Sequence, residues 1–175
     1  SGDNYTCAAE ENGQFFICLS DGMGSGLEAS RESETVVDTL EQLVEAGFSG
    51  ETAAKMVNSV LNLKNRNGRF STVDISIVDL YSGMCHFLKA GAATTFIKRS
   101  HWVEAISSTS LALGLVQQAD FESSTKKLYE GDFLIMVTDG VLDALPGEEP
   151  EETMKEIIME VNTTAAQELG KGILE

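Results

Sequence analysis

Phe15–Gly26 reads FFICLSDGMGSG, and the change of character inside that stretch organises the chain around it. Phe15 to Ser20 is a short apolar run of strand length, rich in Phe and Ile. Asp21-Gly22-Met23-Gly24-Ser25-Gly26 then breaks it sharply. Beyond the break, Val36, Leu40, Leu43 and Val44 recur at i, i+4, i+7 and i+8, while Glu28, Arg31, Glu32, Asp38, Glu41 and Glu45 take other positions. This pattern predicts an amphipathic helix closed at Gly47. A second helix is expected next, with Ala53, Val57, Val60 and Leu61 as its apolar stripe and Gly50 and Asn67-Gly68 at its ends.

Downstream the period changes to two. Val73, Ile75 and Ile77 alternate with Asp74, Ser76 and Val78, which predicts a strand. Further strands are expected from Cys85 through Leu88, over Thr94–Ile97, Trp102–Ile106, Phe121–Leu128 and Phe133–Val137, with turns at Tyr81-Ser82-Gly83 and Glu130-Gly131-Asp132. A last helix is expected over Glu151–Val161. Grouped helices and grouped, mostly antiparallel strands argue an α+β fold and not βαβ alternation. No internal repeat is visible.

The 175 residues suffice for one domain with a core. With 42% hydrophobic and 23% charged residues the composition is that of a soluble globular chain. A net charge of −16 would repel a phosphate backbone, which argues against nucleic-acid binding and against a nuclease. No apolar window approaches a membrane span, and the opening Ser1-Gly2-Asp3 carries no signal-peptide character. Cys7, Cys18 and Cys85 share no CxxC spacing, and Cys18 lies in the apolar run. A reduced, cytoplasmic setting is expected. His86 and His101 have no metal-ligand spacing and read as strand or surface residues.

Chemistry points to two Asp-Gly pairs. Asp21-Gly22 follows the strand Phe15–Ser20, and Asp139-Gly140 follows the strand Phe133–Val137. Each puts a carboxylate where a hydrophobic strand ends and the backbone turns away. Oxygen ligands of this kind suit Mg²⁺ and Mn²⁺, and two such ions together can clamp a phosphate and activate a water. Either pair alone also reads as an ordinary turn. DGMGSG before a helix looks like a phosphate-cradling loop, yet it lacks the Lys of a Walker motif and the dinucleotide-binding context.

The strings SGDNY, FFICLSDGMGSGLEAS, FSTVDISIVDL, FLKAGAATTFIKR, STSLALGL and GDFLIMVTDGVLDAL occur in that order. Together they resemble the metal-dependent type 2C protein phosphatases, and among them the phosphatase domain of the stage II sporulation protein E family. The resemblance runs from Ser1 to about Val161. It implies two antiparallel sheets flanked by helices. It implies two Mn²⁺ or Mg²⁺ ions held by Asp3, Asp21, the Gly22 carbonyl and Asp139, with Asp21 between the metals and Asp21 and Asp139 as catalytic carboxylates. It also implies attack of an activated water on a phosphoserine, with no protein nucleophile. A late DDMT-like segment of the family has no counterpart before Glu175. A single domain over residues 1–175, truncated at its C-terminus with one strand missing and its metal site incomplete, is therefore expected. No Arg lies near Asp3, so phosphate recognition is left to the metals and backbone.

Other polar residues have plainer readings. Asp74 alternates away from Val73 and Ile75 and reads as solvent-facing or intersheet. Asp143 reads as surface, though four residues from Asp139 it is within reach of the same cleft. Lys98-Arg99 and Lys126-Lys127 read as solvated pairs. The two helices after DGMGSG connect directly to Asp21, so Val57, Val60 and Leu61 are expected to act as a switch, set by upstream domains or by homodimer contacts. The resulting function is dephosphorylation of a phosphoserine protein, an anti-sigma-factor antagonist in endospore formation, by the cytoplasmic part of a membrane-anchored parent. The alternative is a catalytically silent binding module with the same fold, and a third reading is a two-metal cyclase or nuclease, of which the net charge opposes the nuclease.

Overall fold

The computed structural model describes residues 2–24, 26–64 and 69–175. Asn67-Gly68, expected to end the second helix, lies outside them. The chain forms two compact units. Residues 1–92 and 108–128 make the first and residues 93–107 and 129–175 the second.

The first unit is built on the two alternating runs. β2 (Gln14–Asp21) pairs antiparallel with β3 (Val73–Asp79), Cys18 facing Ile75 and Phe16 facing Ile77. β1 (Asp3–Ala9) borders β2, and β4 (Met84–Ala90) and β7 (Glu122–Lys127) extend the other side. The sheet order is β1-β2-β3-β4-β7, every pair antiparallel. Because side chains alternate across a strand, Phe16, Cys18, Val73, Ile75, Leu88 and Ala90 share one face. Helices α1 (Leu27–Glu45) and α2 (Gly50–Lys64) contribute Val36, Val37, Leu40, Ala53, Ala54, Val57 and Leu61 to the same core. Each large aliphatic or aromatic side chain buried there stabilises the unit by about 1.5–3 kcal/mol. Gly47, at φ 101, supplies the left-handed turn that ends α1, as its position predicts. Val60 departs from its expected place: it is 47% exposed, and the stripe runs through Ala54 and Asn58 instead. Asn58 is buried because it is satisfied. Its amide donates to the Val116 and Gln117 carbonyls, and its oxygen accepts the Gly114 N–H at 2.8 Å.

The second unit holds a three-stranded antiparallel sheet in the order β6-β5-β8, from β5 (Thr95–Lys98), β6 (Val103–Ile106) and β8 (Phe133–Ile135). Helices α3 (Asp139–Asp143), α4 (Pro150–Glu160) and α5 (Ala166–Leu174) complete it. Phe96, Val103, Val137, Leu142, Met154 and Ile158 form its core. α+β grouping with two antiparallel sheets and helices is thus as expected.

One charged reading needs correction and another is narrowed. Arg99 is not a solvated residue: it pairs with Asp132 at 2.7 Å and Glu104 at 2.9 Å and lies by the rings of Trp102 and Tyr129. Its neighbour Lys98 donates to the Val161 carbonyl. Asp74, read as solvent-facing or intersheet, is buried, which excludes the solvent-facing alternative. Both it and Lys89 are 2% exposed at the side chain, and they form an ion pair at 2.8 Å. Alternation predicts which face a residue takes but not that both faces are buried, and the partner is set by strand register, 15 residues away.

Candidate metal centre

Register brings the first two predicted ligands together. Asp3 on β1 lies directly opposite Asp21 on β2. The Gly22 N–H donates to the Gly2 carbonyl at 3.0 Å, one residue outside that pair. Asp3 and Asp21 therefore form a non-hydrogen-bonded pair, the type in which Cα atoms approach to about 4.5 Å and side chains lie closest. Like charges directly opposed in this way are destabilising. A hard divalent cation between or beside them removes that cost, and carboxylate oxygen is its preferred donor.

The backbone around Asp21 is tied on every side. Its N–H donates to Thr72 Oγ1 at 2.9 Å, and the Thr72 N–H donates to the Asp21 carbonyl at 2.9 Å. Gly22 bridges to Ser71, and Ser71 exchanges hydrogen bonds of 3.0 and 2.9 Å with Leu113. The two glycines beside the carboxylates have steric reasons. A Cβ on Gly22 would stand 2.3 Å from the Ala29 carbonyl oxygen, so only glycine lets this turn rest on α1. A Cβ on Gly2 would stand 3.0 Å from the Gly22 carbonyl oxygen and 3.5 Å from Asp21 Oδ1. Two expected ligand oxygens thus converge on space that a larger residue at position 2 would fill.

α1 grips the same segment through side chains that the sequence reading did not single out. Ser33, fully buried, donates to the Gly2 carbonyl and accepts from the Asn4 amide at 2.7 Å, and Asn4 also donates to the Ser30 carbonyl at 2.7 Å. Helix position and carboxylate position are therefore mechanically joined. The only sequence signal was the polar spacing Ser30-x-x-Ser33 on an otherwise apolar helix face.

Asp139 belongs to the second unit. It is the first residue of α3, after Thr138, and is exposed. Partial burial of its carboxyl, and then the charge of Asp143, push its pKa above the usual aspartate value. Asp143, exposed as read, acts on Asp139 through its charge. Gly140 is sterically unconstrained, the nearest atom to a Cβ there being Thr138 Oγ1 at 4.0 Å. Among the described residues, neither unit on its own gathers three His, Cys, Asp or Glu side chains closely enough to hold a metal ion. What the first unit offers is two carboxylates and a carbonyl oxygen. That set fits Mg²⁺ or Mn²⁺, which commonly bind one or two carboxylates and keep several waters.

The cysteines and histidines take no part in it. Cys18 and Cys85 are buried, and burial pushes the Cys85 thiol up to about 12 and the Cys18 thiol well above its ordinary value. Cys7 is exposed. His86 and His101 are exposed, as read, and His86 Nδ1 lies 3.1 Å from Thr125 Oγ1.

Residues 11–175 match the family model for stage II sporulation protein E. The chain belongs to the stage II sporulation protein E family. It is 34% identical over 176 residues to stage II sporulation protein E of Bacillus subtilis (strain 168), covering all of this chain and 21% of that protein. It is 34% identical to the Priestia megaterium protein of the same name, covering 30% of it. The chain thus spans about a fifth to a third of the length of these curated relatives. Phosphoserine phosphatase RsbU of B. subtilis is 22% identical over 181 residues, which cover 53% of that protein. Among solved structures, the PP2C phosphatase domain of the B. subtilis family member, with a fragment of its regulatory domain, matches with TM-score 0.89 and 32% identity, over 99% of this chain and 52% of that one. RsbX in complex with magnesium matches in fold, with TM-score 0.77 and 18% identity over 99% of this chain and 78% of that one. The fold of this stage II sporulation protein E family member is therefore that of the PP2C phosphatase domains.

Proposed function

We propose that residues 1–175 form one catalytic domain of a metal-dependent protein serine/threonine phosphatase, with Asp3, Asp21, the Gly22 carbonyl and Asp139 as ligands for two Mn²⁺ or Mg²⁺ ions. The observation that carries this reading is the direct opposition of Asp3 and Asp21 at the end of β1 and β2. Like charges directly opposed across two strands repel, and a divalent cation beside them offsets that repulsion. When bound, the ions supply charge that polarises a phosphate and acidifies a water. The chain's own part is placement. Thr72, Ser71 and the first turns of α1 fix the backbone on either side of Asp21, so its short side chain is held in one position. Asp139 is proposed as a further ligand, because burial and Asp143 disfavour its charge and a neighbouring cation would favour it.

The substrate class is a phosphoserine protein, which the name of the RsbU relative supports, and we assign it to an anti-sigma-factor antagonist in endospore formation. Among the described residues no helix is long and apolar enough to cross a membrane. We place the domain on the cytoplasmic side of a membrane-anchored parent. The α1–α2 pair serves as its switch, through Val57, Val60 and Leu61. Support comes from the bonds that tie Ser33 to Gly2 and Asn4, and from the Asn58–Gly114 and Leu113–Ser71–Gly22 links. Exposed Val60 is available to an upstream segment or a homodimer partner. Val60→Lys should therefore alter regulation in the parent protein and leave the melting temperature unchanged; loss of folding, or no effect on regulation, would remove this assignment.

The test of activity is Mn²⁺-dependent hydrolysis of p-nitrophenyl phosphate and of a phosphoserine peptide. Hydrolysis that falls at least a hundredfold in both Asp21→Asn and Asp139→Asn is expected. Absent hydrolysis in the folded chain would favour the silent binding module, and hydrolysis that does not need the metal would remove the metal-dependent reading.

A further inference from the structure

Asp74 and Lys89 lie on the same sheet face as Asp3 and Asp21. The register shows it: Asp3 faces Asp21, Leu19 faces Asp74 two residues along β2, and Asp74 faces Lys89. Asp74 is thus the diagonal neighbour of Asp21 across β2 and β3, a relation that sets Cα atoms about 7–8 Å apart. Lys89 lies one strand further away, with Glu122 of β7 opposite it. The Glu122 carboxylate is engaged by the Thr109 N–H and hydroxyl at 3.0 and 2.9 Å.

A buried ion pair is weak grounds for stability. Removing two charges from water costs several kcal/mol per ion, and apolar pairs of similar volume often serve as well or better. The burial here is nearly complete, with both side chains 2% exposed. What the pair does have is direction. Its negative end is on the strand next to Asp21 and its positive end is one strand farther off. An ammonium at 2.8 Å favours the charged form of its carboxylate partner. In so dry a place a fixed charge acts over a longer range than at the surface.

We propose that Asp74 is a positioning residue for cation binding: held ionised by Lys89, it adds a third carboxylate charge behind the Asp3–Asp21 pair and raises the affinity of that pair for a divalent cation. This rests on the metal-site reading above. Lys89 keeps that charge in place, so the two residues act as a unit.

The experiment is calorimetric titration of the 175-residue chain with Mn²⁺, alongside thermal melts, for the unsubstituted chain, Asp21→Asn, Lys89→Arg and the neutral pair Asp74→Asn/Lys89→Met. The neutral pair should fold and melt within a few degrees of the parent, yet bind Mn²⁺ about threefold more weakly, the scale of the difference between a nearer negative and a farther positive charge that are removed together in partly screened surroundings. Lys89→Arg, which keeps the charge, should bind within about twofold of the parent. A neutral pair that binds Mn²⁺ like the parent shows the ion pair to be irrelevant to the metal and overturns the inference. So does one that fails to fold, which makes the pair structural. Absence of Mn²⁺ binding in the parent chain, or undiminished binding in Asp21→Asn, is a different result and removes the metal-site reading itself.

Discussion

The two Asp-Gly pairs are identical in sequence and opposite in construction. Asp21-Gly22 ends a long strand with neighbours on both sides, and its glycine is pressed against the Ala29 carbonyl. Asp139-Gly140 opens a five-residue helix, and its glycine has open space around it. At the first pair, packing decides where the carboxylate points. At the second, the glycine is under no such constraint, and partial burial, then the charge of Asp143, raises the pKa of the Asp139 carboxyl. A dipeptide motif therefore says little by itself; the strand register and the helix against it turn one of the two into a rigidly built position.

The largest contrast is expected from alanine at the two glycines. Gly22→Ala forces a Cβ to within 2.3 Å of a backbone oxygen, and the helix or the turn must shift, at a cost of about 3 kcal/mol, the upper part of the overpacking range. Gly140→Ala should be neutral or stabilise by up to about 1 kcal/mol, because alanine is the better helix former. Urea denaturation of both variants measures the difference, and equal effects would erase the distinction drawn here.

A smaller effect should follow from cutting the tie between α1 and β1. Ser33→Ala removes one hydrogen bond from the Gly2 carbonyl, which keeps the Gly22 N–H, and one from the Asn4 amide, which keeps the Ser30 carbonyl, at a cost of about 0.5–1.5 kcal/mol for each. The loss should be accompanied by weaker Mn²⁺ binding, because Asp3 lies between Gly2 and Asn4. Destabilisation with unchanged Mn²⁺ affinity would confine Ser33 to the fold.

The smallest effect concerns Asp139 and pH. Its folded carboxyl holds its proton to higher pH than an unfolded aspartate does. Below the ordinary aspartate value both states are protonated and nothing is lost. As pH rises from there through the raised value, the unfolded state ionises first and stability falls. Asp139→Asn should therefore give a slightly higher melting temperature than the parent at pH 7 in chelator, a gain that vanishes near pH 3. A variant less stable at pH 7 than at pH 3, relative to the parent, would reverse the sign.

Much of this fold was legible in particular residues. Phe15–Ser20 and Val73–Val78 declare their strands by apolar content and alternation, and Gly47 closes α1 as its position suggests. β1 was missed because DNYTCAA has no apolar alternation; it is a strand because β2 offers it an edge to pair with. α5 was missed because it carries Gly170 and Gly172. Packing overrides their low helix propensity: Leu169 is buried, and a Cβ at Gly172 would stand 2.8 Å from both methyls of Val161. Asp3, Asp21 and Asp139 came from the family resemblance and the strand-exit pattern. The grip of Ser33 and Asn4 and the Asp74–Lys89 pair did not, because they depend on which residues the register and the helix docking place side by side.

The proposed metal site depends above all on Asp21 as a divalent-cation ligand. Its most direct test is a Mn²⁺ titration monitored by calorimetry on the parent chain and on Asp3→Asn, Asp21→Asn and Asp139→Asn, each shown to be folded. Saturable binding is expected in the parent, weakened at least tenfold in every variant and most in Asp21→Asn. Binding of undiminished affinity in Asp21→Asn would contradict it.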